Sequence, residues 1–518
     1  MDAATASPHK TKGSHVRDSF RHRGVGLTTA ITATATLALG GCSTYASPDN
    51  DNHHVLRLSA RQAPASFAIG AYGGGEVMIQ TSIFDTVLAF DMDGKIVPNL
   101  AKKFQYNKDR TSLTLDLRDD AEFSNGKAVD AQAVVDSLTA TMKAQTTAGV
   151  VDVKSIKATD KDTVVITLSE PSASLVPSLA GVGGFVAEPS TIGTKAEATR
   201  PIGSGPYTLN RDETQIGEKY VLDKVENHWR ADDYTFDRIE ISVIPDITAA
   251  VNGLQSGQLD HVVGLSLDQS KTLKGQFATG VDNPTTWGSI WIADREGEVV
   301  PALGDARVRQ AINMALDRSA LKRLAPGQRD GVDQIFNVNG GAYLPELKGH
   351  YPHDVKAARE LMAKAGYSDG FSVTMPSTIA SADFEPFLTQ SLGKIGITVK
   401  WETASLQDIV ASLASKKYAM FYFPTTYSGS DALDAESALG PVFNPFGTST
   451  PEETKLLDAA NASGARDAFA DLNRYFTKEA WFAPVMASTF LWAHSKSVDY
   501  TPPALWGYSV LPWSVAKG

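Results

Sequence analysis

The sequence predicts a mixed α/β protein of two or three domains, exported and without disulfides. Three observations predict it. Segments of period-two alternation and segments of helical spacing follow one another along most of the 518 residues. The length left after a leader is removed exceeds the roughly 250–300 residues at which a single core stops growing. The chain has one cysteine, Cys42, so there is no second thiol for it to pair with.

The leader comes first. Lys10, Lys12, Arg17, Arg21 and Arg23 precede a threonine-dotted apolar run at residues 25–39, and two glycines follow before Cys42. Basic region, short apolar region and small residues are the order of an export signal. Fifteen residues fall short of the roughly 20 needed to span a bilayer permanently. Leu39-Gly40-Gly41-Cys42 resembles a bacterial lipobox, with residues 1–41 as the lipoprotein signal peptide and Cys42 as the lipidated (palmitate-bearing) mature terminus. An ordinary signal peptide with an incidental cysteine is the alternative. A two-chain lipid suffices for stable anchoring, and the polar stretch 42–54 reads as a flexible tether. Five of the 48 bases and two of the 59 acids lie in residues 1–41, so the mature chain carries 43 bases and 57 acids. That acidic balance excludes a phosphate-binding basic stripe, hence nucleic acid as a partner.

Along the mature chain, residues 54–60 read as a strand and residues 64–76 as a glycine-rich loop. Asp93-Gly94 marks a hairpin, residues 111–118 alternate as a half-buried strand, and Asn125-Gly126 marks another turn. Asp130 can cap a helix carrying Val134, Val135 and Leu138. In "PIGSGPYTLN", residues 201–210, the glycines suit a close backbone passage. Two strand-like stretches at 219–225 and 236–246 precede a helical stretch at 247–260 and a strand at 261–265. That order suggests an α/β unit with parallel pairing. Asp305 and Asp354 are predicted to cap helices at 305–324 and 353–367, with Gly366 closing the second.

At these blocks the chain resembles the extracytoplasmic solute-binding proteins of ABC importers, in the family that includes dipeptide, oligopeptide and nickel binders. The carrying stretches, in order, are "IFDTVLAFDMDGKIVPNLAKKF", "LTLDLRDDAEFSNGKAVDAQAVVDSL", "PIGSGPYTL", "ENHWRADDYTFDRIEISVIPDITAAVNGLQSGQLD", "DARVRQAINMALDR" and "KAARELMAKAGY". The resemblance implies a periplasmic-binding-protein-like two-lobe fold of class II, in its large three-domain variant, with a cleft between lobes. Lobe I would comprise 55–79, 200–288 and 486–518, an accessory α+β domain 80–199, and lobe II 289–485. Two strands would cross between lobes. It further implies a monomer outside the cytoplasmic membrane, delivering a peptide or peptide-like solute to a permease driven by an ATPase.

Enzyme chemistry leaves no constellation. His350 and His353 flank a proline in a loop where a helical zinc motif cannot form. Asp91-Met92-Asp93-Gly94 opens like a calcium loop but lacks its later ligands. Gly203-Ser204-Gly205 lacks the spacing of a nucleophile elbow. No catalytic residue, metal site or cofactor is expected, and a surface-anchored hydrolase is the rival class.

A peptide needs aromatic walls and fixed charges for its termini. Three stretches offer them: Phe67 and Tyr72; Trp287 and Trp291; and Tyr422, Tyr427 and Asp431. Each aromatic has packing between lobes as its alternative. The resemblance implies a Trp and an Asp near the third stretch to hold an α-amine. Here no Trp precedes the acid, Asp431 or Asp434 comes several residues late, and Ala293-Asp294 replaces an Asn of the crossing strand. Oligopeptides, modified peptides, or a nickel chelate, haem or oligosaccharide therefore stay open as ligands.

Overall fold

A computed structural model of the chain describes residues 54–71, 77–144, 152–324, 329–504 and 511–516. The leader, Cys42, the tether up to residue 53, and Tyr72 lie outside the described residues. Among the described residues no helix is long and apolar enough to cross a membrane.

The largest sheet has seven strands in the order Ala278–Val281, Leu491–His494, His261–Leu265, Val55–Ala60, Arg238–Val243, Lys219–Lys224, Tyr207–Leu209. The expected unit of strand, helix and strand is Arg238–Val243, helix Ile247–Gln255 and His261–Leu265. Its two strands do not touch. Val55–Ala60 lies between them and pairs parallel with both, Leu58 opposite Ile241 on one side and opposite His261 on the other. Asp246 caps the helix by accepting from Ala249 N at 2.8 Å, satisfying a backbone N–H that the helix cannot.

A second sheet, of four strands, runs Arg329–Asp330, Phe482–Ser488, Thr286–Ile292, Met420–Thr426. The chain passes between these two sheets twice, through residues 282–285 and 489–490. The two passages are tied to each other: Asp282 N donates to Phe490 O at 2.9 Å and Thr285 N to Ser488 O at 3.2 Å. A third, antiparallel sheet of Ala101–Tyr106, Ser112–Leu117, Thr163–Leu168 and Val153–Ala158 covers its own core with helix Ala131–Ala144, which contributes Ala133, Val134 and Leu138. Asp130 caps that helix, accepting from Ala133 N at 2.9 Å.

Gly203 and Gly205 account for "PIGSGPY". Gly205 N donates to Ile83 O at 2.8 Å, and a Cβ on Gly205 would lie 2.6 Å from the Ile83 carbonyl carbon. Only a residue without a side chain lets the two backbones touch. The stretch from Asp305 is two helices, Ala306–Ala315 and Arg318–Leu324, where the spacing predicts one. Leu316 is extended (φ −81°, ψ 112°) and buried. Arg318 donates to Asn313 O, a carbonyl of the helix end, and to Val332 O and Pro484 O, which ties the break to strand Phe482–Ser488. Asp354 caps Val355–Lys364 through Ala357 N at 2.9 Å.

Candidate functional site

A cleft of about 430 Å³ is lined on one side by the two-stranded hairpin Leu88–Phe90 and Ile96–Pro98, the first hairpin of the third sheet and helix Leu175–Ala180, and on the other by loops and the start of helix Asp431–Leu439. Phe90, Lys95, Phe104, Tyr106, Arg110 and Pro177 line one wall; Asn337, Gly340, Gly341, Asp431, Asp434, Gly464, Ala465, Arg466 and Phe469 line the other.

Local chemistry sets each charged side chain. Arg110 closes the hairpin between Ala101–Tyr106 and Ser112–Leu117 in a left-handed conformation (φ 54°). The Asn107 side chain holds that turn by accepting from Thr111 N and Ser112 N at 2.9 and 3.0 Å. The turn lays the Arg110 guanidinium over the Tyr106 ring, 4.2 Å from its centroid, a cation–π arrangement. Tyr106 donates to Ser172 O at 3.3 Å, and burial pushes its hydroxyl up to about 12 against the opposing charge of Arg110. On the facing wall, Arg466 Nη2 donates to Asn339 O at 2.8 Å.

Asp431 and Asp434 share the first turn of helix Asp431–Leu439. Asp431 Oδ2 accepts from Ala342 N at 2.8 Å, and Gly340 leaves room for its other oxygen. Burial pushes the Asp431 carboxyl up to about 6, opposed by the N–H groups of Ala342 and Gly341 and by Arg466. Asp434 Oδ1 accepts from Ser428 N at 2.8 Å. Burial raises it further, to about 7, the charge of Asp431 adding to the shift. Two carboxyls that titrate near neutrality and two guanidinium groups thus share one small cleft.

Of the candidate site residues that are described, Asp431 lines this cleft, together with Asp434, named beside it as the alternative acid. Phe67 is a correction: it is 2% exposed and packs edge-on to Tyr220 at 6.0 Å, in the core under the seven-stranded sheet. Its glycine-rich surroundings begin only after it. Trp287 and Trp291 are each 1% exposed. Trp291 stacks on Phe443 at 3.9 Å and donates to Phe423 O at 2.9 Å. Trp287 lies 5.1 Å from Trp291 and 6.0 Å from Tyr427. Tyr422 is buried against Phe384 at 4.8 Å, its hydroxyl over Gly288. Tyr427 is buried behind the two acids, which help burial to raise its hydroxyl.

The physical reason is that both faces of strand Thr286–Ile292 are covered. Trp287 and Trp291 enter one core, Ile290 and Ile292 the other, so alternation leaves no wet face for the tryptophans. Sequence reasoning missed Lys95, Tyr106, Arg110 and Arg466. A cation at a hairpin tip is ordinarily solvated, and only Gly464, two residues before Arg466, hints at a close approach. Among the described residues no cluster of three or more His, Cys, Asp or Glu could hold a metal ion, and His350 and His353 are exposed.

Residues 95–450 match the model of the bacterial extracellular solute-binding proteins, family 5. The glutathione-binding protein of Pectobacterium atrosepticum is 25% identical over 399 residues, 73% of this chain and 75% of that protein. The nickel-binding periplasmic protein of Escherichia coli is 26% identical over 328 residues, 57% of this chain and 58% of that protein. The periplasmic binding protein DppA of Helicobacter pylori, solved with the peptide STSA, superposes with a TM-score of 0.75 at 20% identity, covering 90% of this chain and 99% of that one.

Proposed function

Because the chain belongs to the bacterial extracellular solute-binding proteins of family 5, non-enzymatic substrate-binding components of ABC importers, we propose that it captures a peptide or peptide-like solute in the cleft at Asp431. Delivery to the permease and its ATPase would follow closure of the two lobes about residues 282–285 and 489–490. A ligand favours the closed form only by binding it better than the open one.

The observation that carries this reading is the cleft itself. Its volume of about 430 Å³ falls within the roughly 300–1,000 Å³ of small-molecule sites, and apolar walls with a few fixed charges are what such sites use. A relative that binds glutathione supports the peptide-like class. A metal chelate is the second reading, favoured by the cations Lys95, Arg110 and Arg466 in the lining and supported by the nickel-binding relative.

A thermal-shift screen with peptide, nickel-chelate and haem libraries tests the function. A solute at 100 times its Kd adds about 2.7 kcal/mol of stability. If no solute moves the melt and small-angle scattering detects no closure, the reading fails.

The protein acts as a monomer held to the outer face of the cytoplasmic membrane by a lipid on Cys42. Membrane fractionation of Cys42→Ser tests the anchor: the variant leaves the membrane or stays unprocessed, with ligand binding intact. Retained anchoring overturns that part.

A further inference from the structure

We propose that the double-proline stretch at residues 501–504 is a releasable strap that holds the two walls of the cleft together and lets go of Asn339 when the cleft opens. The inference rests on the reading of the cleft as the solute site and goes beyond it by naming a device that controls access.

The strap starts from a fixed base. Val498–Tyr500 pairs with Trp513–Val515, and Val498, Trp513 and Val515 join the core under the seven-stranded sheet. Tyr500 donates to Asp282 Oδ1 at 2.9 Å, and Asn283 Nδ2 donates to Pro503 O at 2.8 Å. Both partners belong to the passage 282–285, so the strap runs beside one of the two chain crossings between the large sheets.

Ala504 then bonds to both walls. Its N–H donates to Met92 O at 2.9 Å, in the turn that joins Leu88–Phe90 to Ile96–Pro98 and brings Gly94 and Lys95 to the cleft. Its carbonyl accepts from Asn339 Nδ2 at 2.9 Å. Asn339 stands in the loop that supplies Asn337, Gly340 and Gly341 to the facing wall, and the same loop gives Asp431 its partner Ala342 N. The walls cannot part at this edge unless one of the two bonds to Ala504 breaks.

The bond that yields is the one to Asn339. The Met92 turn is tied to the seven-stranded sheet, on the strap's own side, through the backbone bond from Gly205 to Ile83 just before strand Tyr207–Leu209. Asn339 instead sits beside the four-stranded sheet, since Ile335, Phe336 and Ala342 of its loop share a core with Trp287 and Trp291 of that sheet. It reaches the strap by one side-chain amide.

Two consecutive prolines suit such a strap. Each fixes its own φ and carries no N–H, so Pro502 and Pro503 leave no donor unsatisfied on release and lose little backbone freedom on docking. Both are half-buried, as is Ala504. A neutral hydrogen bond in such a place shifts an equilibrium by roughly threefold to tenfold, enough to bias the cleft shut and small enough to be released by thermal motion.

Residue-resolved hydrogen exchange on the detergent-purified full chain, without solute, tests this where exchange follows the opening equilibrium. The reporter is Ala173 N, which donates across the cleft to Asn461 Oδ1 at 3.2 Å, a bond that does not involve the strap. Asn339→Ala and Asn339→Asp both remove the donor to Ala504 O and leave the Asn339 carbonyl that Arg466 uses. Each is expected to speed exchange at Ala173 by about threefold to tenfold, with Ala504 N still protected by Met92 and the melting temperature within a few degrees of the parent. Pro502→Gly,Pro503→Gly, which loosens the strap without touching Asn339, should do the same to a smaller extent.

Unchanged exchange at Ala173 in both Asn339 variants overturns the strap. Faster exchange at Ala504 alone marks local fraying and overturns it too, as does a rise at Ala173 matched by the core amides of Val165 and Leu222, which marks general destabilisation. Because no solute is present, any of these results leaves the solute-binding reading to its own thermal-shift screen, and a failed screen leaves the exchange result standing.

Discussion

The guanidinium of Arg110 occupies the space in which any side chain at Gly464 would begin: a Cβ there would lie 2.5–2.6 Å from Cζ and both terminal nitrogens. Gly464 also ends helix Pro451–Ser463 in a left-handed conformation (φ 64°), which costs an L-residue roughly 1–2 kcal/mol. The same glycine therefore terminates a helix and receives a side chain from the opposite wall.

Gly464→Ala separates those roles in one experiment. Urea unfolding is expected to give a loss of about 1–2 kcal/mol from the backbone alone. In addition the alanine displaces Arg110, so the rim between Arg110 and Ala465 widens. Amide exchange across the Arg110 turn should be faster than in the parent, and equally so in Gly464→Asn, which carries the same Cβ but tolerates the left-handed conformation better and so loses less stability. Unchanged exchange at that turn in both variants would show that Arg110 swings aside freely.

Gly205→Ala tests the close backbone passage. Its Cβ would meet the carbonyl carbon of Ile83 at 2.6 Å, and backbone cannot turn away as a side-chain end can. Overpacking of this kind costs about 1–3 kcal/mol. The hydrogen bond from Gly205 N to Ile83 O would lengthen with it. Thermal melts and amide exchange at residue 205 should register both effects, and a variant as stable as the parent would contradict the geometry.

His261 makes stability depend on pH. It is buried among Trp492, His494, Tyr500 and Trp513, with ring centroids 4.7 Å from Tyr500 and 5.4 Å from Trp513. Its Nε2 has no hydrogen-bond partner among the described residues. Burial, with a smaller contribution from His494, lowers its pKa to about 3. The unfolded chain then binds a proton that the folded chain refuses, so this residue costs nothing above pH 6.5. Its cost grows by roughly 1.4 kcal/mol per unit as pH falls toward 3. Asp282, which accepts from Tyr500 at 2.9 Å, is raised by burial to about 6. Its cost runs the other way, full above pH 6 and gone below 3.8. His261→Phe should therefore match the parent near pH 7.5 and exceed it increasingly between pH 6 and 4. The difference in unfolding free energy between the two proteins isolates the histidine from the other acids, and a flat difference would refute its burial as a neutral ring.

How much was legible in the sequence follows from where information is local. The caps at Asp130, Asp305 and Asp354 and the turn glycines Gly94 and Gly126 read correctly, because a cap or a positive φ is decided by a few neighbouring residues. The insertion of Val55–Ala60 between two strands that follow each other in the chain was not legible, since pairing partners nearly 200 residues apart leave no mark in a window. The cleft fared likewise. Asp431 stood out as an acid in an aromatic, glycine-containing stretch. Trp287, Trp291 and Tyr422 looked equally suited to a wall, yet a strand covered on both faces turns its aromatics into core. Arg110 and Gly464 are 354 positions apart in the chain, and their contact leaves no mark in the sequence around either.

Asp434→Asn probes the cost of keeping a carboxyl in the cleft. The parent carboxyl is raised to about 7, first by burial and then by the charge of Asp431, against the hydrogen bonds from Ser428. A raised acid is held without cost in its protonated form below pH 3.8, and the folded state loses stability as pH climbs from there to about 7, after which the loss is constant. Asparagine keeps an acceptor for Ser428 N and carries no charge to desolvate. The variant should therefore equal the parent near pH 4 and surpass it by a few kcal/mol at pH 8, with most of the change between pH 5 and 7. Binding of an anionic probe to the variant should vary less between pH 6 and 8 than in the parent, where Asp434, raised to about 7, gains its charge across that interval and opposes the anion. Chemical denaturation from pH 4 to 8, paired with calorimetry at pH 6 and 8, measures the two effects on one sample. A stability difference independent of pH would mean that Asp434 is solvated and ionised throughout.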